Sequence, residues 1–167
     1  MNTIRIHSRA AALVCALALL TQVSPIRAEG QGNSNPVDFT FTKWGIVTVP
    51  GGGMSGFING DPTVPSFIGH LFTSGPSFNF HLRRIEAMYE VVDGDRSFVA
   101  MMRGAQNASS FAILDGVILD GWRIGAPVHV EFVARTPAAG GCVGAPATVT
   151  LCWEGTIHVG RVPTRSN

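Results

Sequence analysis

Two groups of residues in this sequence have the types and spacing for catalysis or metal binding. The first is His129 and Glu131, which lie two positions apart in an alternating segment and therefore on one face of a predicted strand. An imidazole beside a carboxylate is either a metal-ligand pair or a general acid/base pair. His158 joins this face only if the last strand pairs with this one. The alternative, which we favour, is a solvent-facing polar stripe, since apolar residues alternate with it.

The second group is Glu86, Tyr89 and Glu90, in a long alternating segment at positions 80–92. Tyr89 is the only tyrosine and falls on the apolar face, where its buried phenol needs a hydrogen-bond partner. Glu86 and Glu90 share the opposite face. If that face lines a barrel lumen, the two carboxylates are partly desolvated and become functional candidates. If it faces solvent, they are ordinary surface residues, which is the interpretation we favour.

The elements that carry these groups read as short strands. Alternating or apolar runs are separated by turn residues, with Asp93-Gly94 the strongest hairpin signal. No window keeps a 3.6-residue period long enough for a helix. About eight strands are predicted, and only 14% of the residues are charged, which leaves few to protect sheet edges. The prediction is therefore an all-β fold with a single antiparallel β-barrel over residues 38–162 and a tail at 163–167; the alternative is a β-sandwich.

The first 28 residues have the layout of a secretory signal peptide. Basic residues Arg5 and Arg9 precede eleven uninterrupted apolar residues, and a more polar stretch then ends at Ala28. A membrane-spanning helix would need about 20 apolar residues, so an anchor is the less favoured interpretation. Cleavage after Ala28 predicts a secreted or periplasmic protein with no membrane span in the mature chain, and a flexible lead-in at 29–37. The arginine-rich composition with a single lysine indicates a bacterial source.

Removing this segment changes the charge and the cysteine count. Three of the twelve basic residues are lost, which leaves nine against eleven acidic residues and a net charge of −2. A near-neutral chain gives no electrostatic reason to expect a nucleic-acid partner. Of three cysteines, Cys142 and Cys152 remain, and an even count in an exported chain predicts a disulfide. A zinc site is the alternative, but two thiols without a nearby histidine pair are a poor ligand set.

No cofactor and no metal is predicted. The triplet Gly51–Gly53 lacks the Lys-Ser/Thr of a phosphate-binding loop and is interpreted as a loop between strands that can line an open barrel end. Asp93, Asp95, Asp115 and Asp120 lack the alternating ligand spacing of a calcium loop. The sequence also has no nucleophile elbow, zinc-protease helix or dinucleotide fingerprint.

Several glycine-punctuated strands carry a resemblance to known proteins. The runs YEVVDGDRSFVAMMRGAQN, AILDGVILDGW, GAPVHVEF and CWEGTIHV resemble small secreted bacterial proteins of unassigned function. The same pattern is similar to the allene-oxide-cyclase and dirigent-like barrels. The resemblance implies an eight-stranded barrel with an apolar cavity, and no catalytic residue can be matched through it.

The favoured hypothesis is an exported, non-enzymatic β-barrel that binds a small apolar ligand or a protein partner. The first alternative is a cyclase or isomerase that acts in the lumen with Glu86, Tyr89, Glu90 or the His129/Glu131 pair. The second alternative is a cell-surface or matrix interaction module, which would show a large exposed apolar patch. A homo-oligomer is left open.

Overall fold

The computed structural model describes residues 35–45, 52–76 and 82–160. The predicted signal peptide at 1–28, the lead-in up to residue 34 and the tail at 163–167 lie outside these residues. So do residues 46–49, an apolar run whose sequence predicts a strand. Within the described part of the chain, no helix is both long enough and apolar enough to cross a membrane.

The fold is one closed barrel of eight antiparallel strands. Each strand pairs with the next along the chain, and the last pairs with the first, so the sheet has no free edge. This confirms the predicted all-β barrel and not the sandwich. The strands are β1 (Val37–Gly45), β2 (Gly53–Ile58), β3 (Phe67–Pro76), β4 (Leu82–Val91), β5 (Phe98–Asn107), β6 (Phe111–Gly121), β7 (Pro127–Arg135) and β8 (Cys152–Val159).

Three local details differ from the sequence-based expectation. β2 begins at Gly53, so the last residue of the predicted glycine loop belongs to a strand. The predicted Asp93-Gly94 hairpin contains a 3₁₀ turn at Gly94–Arg96, which makes the connection longer than a two-residue turn. The last run of the sequence predicts a strand over residues 148–159, but β8 begins only at Cys152, and residues 148–151 belong to the loop before it.

Alternation along most strands places the apolar core in the lumen and the other side chains outside, where Phe111, Val117 and Leu119 are exposed apolar residues. In β4, for example, every second residue from Ile85 to Val91 is buried, as the sequence predicts. The lumen core combines aromatic and aliphatic side chains from all eight strands, including Phe39, Phe41, Met54, Phe67, Ala87, Met102, Leu114, Val130, Phe132 and Ile157.

The two ends of the lumen are built differently. The packed end is the end where β1 begins and β8 finishes, and there Phe39 lies 5.9 Å from Phe98 and 6.2 Å from Trp122, measured between ring centroids. The cavity end is the opposite end, where β1 finishes at Gly45 and β2 begins at Gly53. Aromatic rings fill the packed end, whereas glycines enter the wall of the cavity end.

Gly155 shows how a glycine makes room for large neighbours inside the barrel. It pairs with Phe41 on one side and with Phe132 on the other. A Cβ at this position would lie 2.6 Å from the Cβ of Phe132 and 2.0 Å from the carbonyl oxygen of Glu131. Because glycine has no side chain, the rings of Phe41 and Phe132 can lie with their centroids 6.2 Å apart.

Candidate functional site

The lumen contains one buried lysine, Lys43, at the cavity end of β1. It lies two and four positions after Phe41 and Phe39, so its side chain is on the same, inward face of the strand. Only 1% of it is exposed. It is also the only lysine in the sequence. Lysine is almost never fully buried without a charged partner, so its position needs a specific explanation.

Four aromatic rings surround the Lys43 amine. Its Nζ lies 4.1 Å from the ring centroid of Phe132 and 4.2 Å from that of Tyr89. The rings of Phe41 and Phe67 are at 5.1 and 5.5 Å. The negative faces of such rings attract a cation, with a gain of about 2 kcal/mol or more where water is excluded. The arrangement is an aromatic cage for whatever group occupies the Nζ position.

Lys43 also forms a hydrogen bond with the only tyrosine of the chain. Its Nζ donates to the phenol oxygen of Tyr89, which is itself 1% exposed. Tyr89 packs edge-on against Phe67, with ring centroids 4.9 Å apart. The buried partner that the Tyr89 phenol needs is therefore the lysine amine.

Burial without a counter-charge favours the neutral forms of both groups. Among the described residues no aspartate or glutamate is buried, so no carboxylate balances an ammonium in the lumen. Desolvation lowers the pKa of Lys43 well below its ordinary value of 10.5. The same burial raises the pKa of Tyr89 above its ordinary value of 10.0. Burial therefore favours an uncharged amine beside an uncharged phenol.

A cavity of about 190 Å³ opens beside this pair. Its lining includes Lys43 and two of the four rings of the aromatic cage, those of Tyr89 and Phe132. Its remaining lining comprises apolar side chains (Met54, Leu71, Ile85 and Trp153), three glycines (Gly45, Gly52 and Gly53) and two polar residues (Arg83 and Gln106).

Arg83 and Gln106 supply the polar groups nearest the strand ends. They face each other across the β4–β5 pair. Arg83 is exposed, and the Gln106 side-chain amide donates to the carbonyl oxygen of Ser110 at 3.2 Å. The cavity is therefore apolar along its walls, with one polar group pair at the strand ends and another at the aromatic cage.

The carboxylates predicted on β4 lie on the outer surface of the barrel. Glu86 pairs with Arg103 at 3.3 Å, and both side chains are substantially exposed to solvent. Glu90 is on the same outer face, with Val99 opposite it on β5. Of the predicted β4 group, only Tyr89 enters the lumen, so Glu86 and Glu90 are not brought together with it.

His129 and Glu131 also lie on the outside, in a row of polar side chains that crosses four strands. His129 Nδ1 is 2.7 Å from an Asp115 carboxylate oxygen, and its Nε2 is 3.2 Å from Glu131. β7 does pair with β8, and this places His158 directly beside His129, with ring centroids 6.0 Å apart. His158 in turn contacts Asp38 at 2.8 Å.

This row satisfies the hydrogen bonds of surface residues. His129 is 7% exposed because its neighbours cover it, while the Asp115 carboxylate remains open to solvent. Within the described residues, no cluster of three or more histidine, cysteine or acidic side chains has the arrangement of a metal site. The row lies on the outer face, as the polar-stripe interpretation expects, although His129 itself is covered by its neighbours.

The predicted disulfide is present between Cys142 and Cys152, with Cα atoms 5.6 Å apart. It ties the long β7–β8 loop to the first residue of β8, at the cavity end of the barrel. The backbone N–H of Cys142 donates to the Glu154 carboxylate at 2.7 Å, which anchors the loop a second time.

Comparison of the chain with protein-family models, with curated proteins and with solved structures found no match. The barrel architecture agrees with the resemblance described above, whereas the finer likeness to the allene-oxide-cyclase and dirigent-like barrels stays a prediction. The site must therefore be interpreted from its own chemistry.

The sequence contains a pattern that predicts the inward position of Lys43, although a lysine is not expected to be buried. The run Phe39, Phe41, Lys43 keeps a period of two, which assigns the lysine to the apolar face of β1. A lone lysine on an apolar face and a lone tyrosine on another each lack a partner, and together they satisfy each other.

Proposed function

We propose that this protein binds a small, predominantly apolar molecule at the cavity end of its lumen, without transforming it. The supporting observation is the cavity of about 190 Å³ that reaches the Lys43–Tyr89 pair. Eight-stranded barrels are just wide enough either to fill with side chains or to hold one small ligand. Here side chains fill the packed end, whereas the cavity end has room for one small ligand.

The size of the cavity limits the ligand. An apolar cavity of about 150 Å³ in another protein stays dry and binds benzene. A volume of about 190 Å³ therefore suits a single ring or a short branched chain. A larger ligand must extend past Arg83 and Gln106, whose polar groups suit an oxygen-bearing substituent.

Binding is favoured over the cyclase or isomerase alternative by the placement of the predicted acid/base residues. Glu86, Glu90, His129 and Glu131 are on the outer face, where they do not share a site with Tyr89. The lumen thus holds an amine and a phenol but no carboxylate or imidazole among the described residues.

An exported location is part of the proposal. The Cys142–Cys152 disulfide supports it, because such bonds persist in oxidising compartments outside the cytoplasm. The layout of residues 1–28 supports it independently.

The test is a pair of leucine substitutions. Leu71→Trp places a larger side chain in the cavity, whereas Leu119→Trp makes the same change on the exposed outer face of β6. Binding of toluene, measured by NMR titration, should weaken at least about tenfold in the first variant, a loss of about 1.4 kcal/mol. The second variant should bind as the wild type does.

Equal affinities in the two variants, or no binding to the wild type, would overturn the proposal. Native mass spectrometry of protein purified from its own source supplies a second test. A retained small molecule that Leu71→Trp loses supports the proposal, whereas a stoichiometric protein partner without any small molecule contradicts it.

A further inference from the structure

We propose that the ligand of this barrel is an apolar aldehyde or ketone, held as a reversible imine on Lys43 Nζ. The inference rests on the binding function proposed above and adds the chemical class of the ligand. Three observations support it. The Lys43 amine has no buried counter-charge among the described residues, it is hydrogen-bonded to the Tyr89 phenol, and its aromatic cage shares residues with the cavity wall.

The amine is placed for condensation with a carbonyl group. Lys43 is part of the cavity lining, so a ligand in the cavity lies against its side chain. Burial lowers the pKa of this amine, which raises the fraction of the amine that carries a free lone pair. Condensation with a carbonyl group uses the neutral form of the amine. A neutral amine needs no counter-charge, which agrees with the lack of a buried carboxylate beside Lys43 among the described residues.

Tyr89 supplies the proton transfers that the condensation requires. The Nζ lone pair attacks the carbonyl carbon, the C=O π electrons move to oxygen, and the Tyr89 hydroxyl donates a proton to that oxygen. In the same transfer the nitrogen gives a proton to the phenol oxygen, so no free phenolate forms, and the carbinolamine then loses its hydroxyl, with the remaining N–H proton, as water. The balance is one aldehyde and one amine giving one imine and one water, with no oxidation or reduction. Tyr89 suits this role because burial keeps the phenol protonated.

The aromatic cage stabilises the product. Uptake of one proton from water gives the imine a positive charge at the Nζ position, where the rings of Tyr89 and Phe132 are 4.2 and 4.1 Å away. The ring faces attract such a cation in the absence of water. The same geometry offers little to a ligand carboxylate, because the electron-rich ring faces repel an anion.

The sequence makes the test unusually clean, because Lys43 is the only lysine and the N-terminal amine is the only other primary alkyl amine. The mature protein is incubated with benzaldehyde, reduced with cyanoborohydride and digested, and the benzylated peptides are identified by mass spectrometry. We expect one benzyl group on Lys43, formed at least about tenfold faster in the folded protein than in the urea-unfolded chain, since each unit of lowered pKa raises the neutral-amine fraction about tenfold. Labelling confined to the N-terminus, or equal rates in the two states, would overturn the inference.

Two variants separate chemistry from folding. Lys43→Met should lose the internal label, and Tyr89→Phe should keep the label but form it more slowly, because the ring remains and the proton donor is lost. Circular dichroism checks that both variants are folded. A Tyr89→Phe rate equal to that of the wild type would remove Tyr89 from the mechanism and contradict the inference as stated.

Toluene and benzoate distinguish the failure of this inference from the failure of the proposed function. If toluene binds and benzaldehyde leaves no label on Lys43, the cavity binds apolar ligands but the imine is wrong. If benzoate binds more tightly than benzaldehyde, Lys43 acts as a cation and the imine is again wrong. If toluene does not bind at all, the proposed function itself fails.

Discussion

The two ends of the barrel solve the same packing problem in opposite ways. At the packed end, the rings of Phe39, Phe98 and Trp122 meet across the lumen and fill it. At the cavity end, glycines take part in the wall, and about 190 Å³ stays free of protein atoms. Among the described residues, the buried ionisable side chains of the lumen, Lys43 and Tyr89, line that free volume. The stability of this barrel and its chemistry therefore reside in different halves of one continuous core.

The sharpest test of this comparison is a matched pair of isoleucine truncations. Ile118 lies in the filled region, whereas Ile85 lines the cavity. Ile118→Ala should lower the free energy of unfolding by about 4 kcal/mol, because it creates a new void. Ile85→Ala should cost about 2 kcal/mol, since it only enlarges an existing space. Urea unfolding measures both, and equal losses would show that the two ends are packed alike.

Removal of the disulfide tests what holds the cavity end together. The double substitution Cys142→Ser and Cys152→Ser opens a short loop, which should lower the free energy of unfolding by about 2–3 kcal/mol. Toluene affinity should fall as well, because the bridge is attached to β8 beside the cavity-lining Trp153. A variant that unfolds at the wild-type urea midpoint would show that the disulfide does not stabilise the cavity end.

The buried amine should make stability depend on pH. The folded protein holds the pKa of Lys43 below the ordinary value of 10.5 that the unfolded chain has, because burial disfavours the ammonium. Between these two pKa values the unfolded chain binds a proton that the folded chain lacks. The free energy of unfolding therefore rises with pH in this window, by at most about 1.4 kcal/mol per pH unit, and is lost as pH falls through it.

Lys43→Met provides the control for this pH effect. Wild-type urea midpoints should rise as pH is raised toward 10.5, whereas the variant should show a flatter profile. Above about pH 10 the raised pKa of Tyr89 acts in the opposite direction, because the unfolded chain loses a phenol proton that the folded chain keeps. Parallel profiles for the two proteins would show that Lys43 is not the group responsible.

The smallest effects are expected on the outer surface. Glu86→Gln removes an exposed ion pair with Arg103 and should change the free energy of unfolding by less than about 0.5 kcal/mol. Toluene and benzaldehyde should bind this variant as they bind the wild type. A tenfold loss of binding would mean that the β4 carboxylates influence the lumen after all.

Local pattern was sufficient to predict the barrel and one half of the site. The alternation of Ile85, Ala87 and Tyr89 places the phenol inward, and the even cysteine count predicts the bridge. The inward position of Lys43 follows from the same alternation, but the strong preference of lysine for solvent argues against it.

Other features depend on information that no single strand contains. The His129–His158 contact requires the register of β7 against β8. The cavity depends on the volumes of side chains from several strands and on glycines such as Gly52 and Gly53 in its wall. Such sums over distant segments cannot be obtained from local periodicity.

The closure of β8 onto β1 has a consequence for how the chain folds. Phe41 and Gly155 pair across this seam although they are more than about a hundred positions apart, whereas the other strand pairs join neighbours in sequence. Bringing such distant segments together costs roughly 3 kcal/mol more in loop entropy than forming a short hairpin. Lys43 lies on β1 with Trp153 opposite it on β8, so its burial must await the costliest ring closure of the molecule. Until then the chain carries two open sheet edges and a lysine still in water.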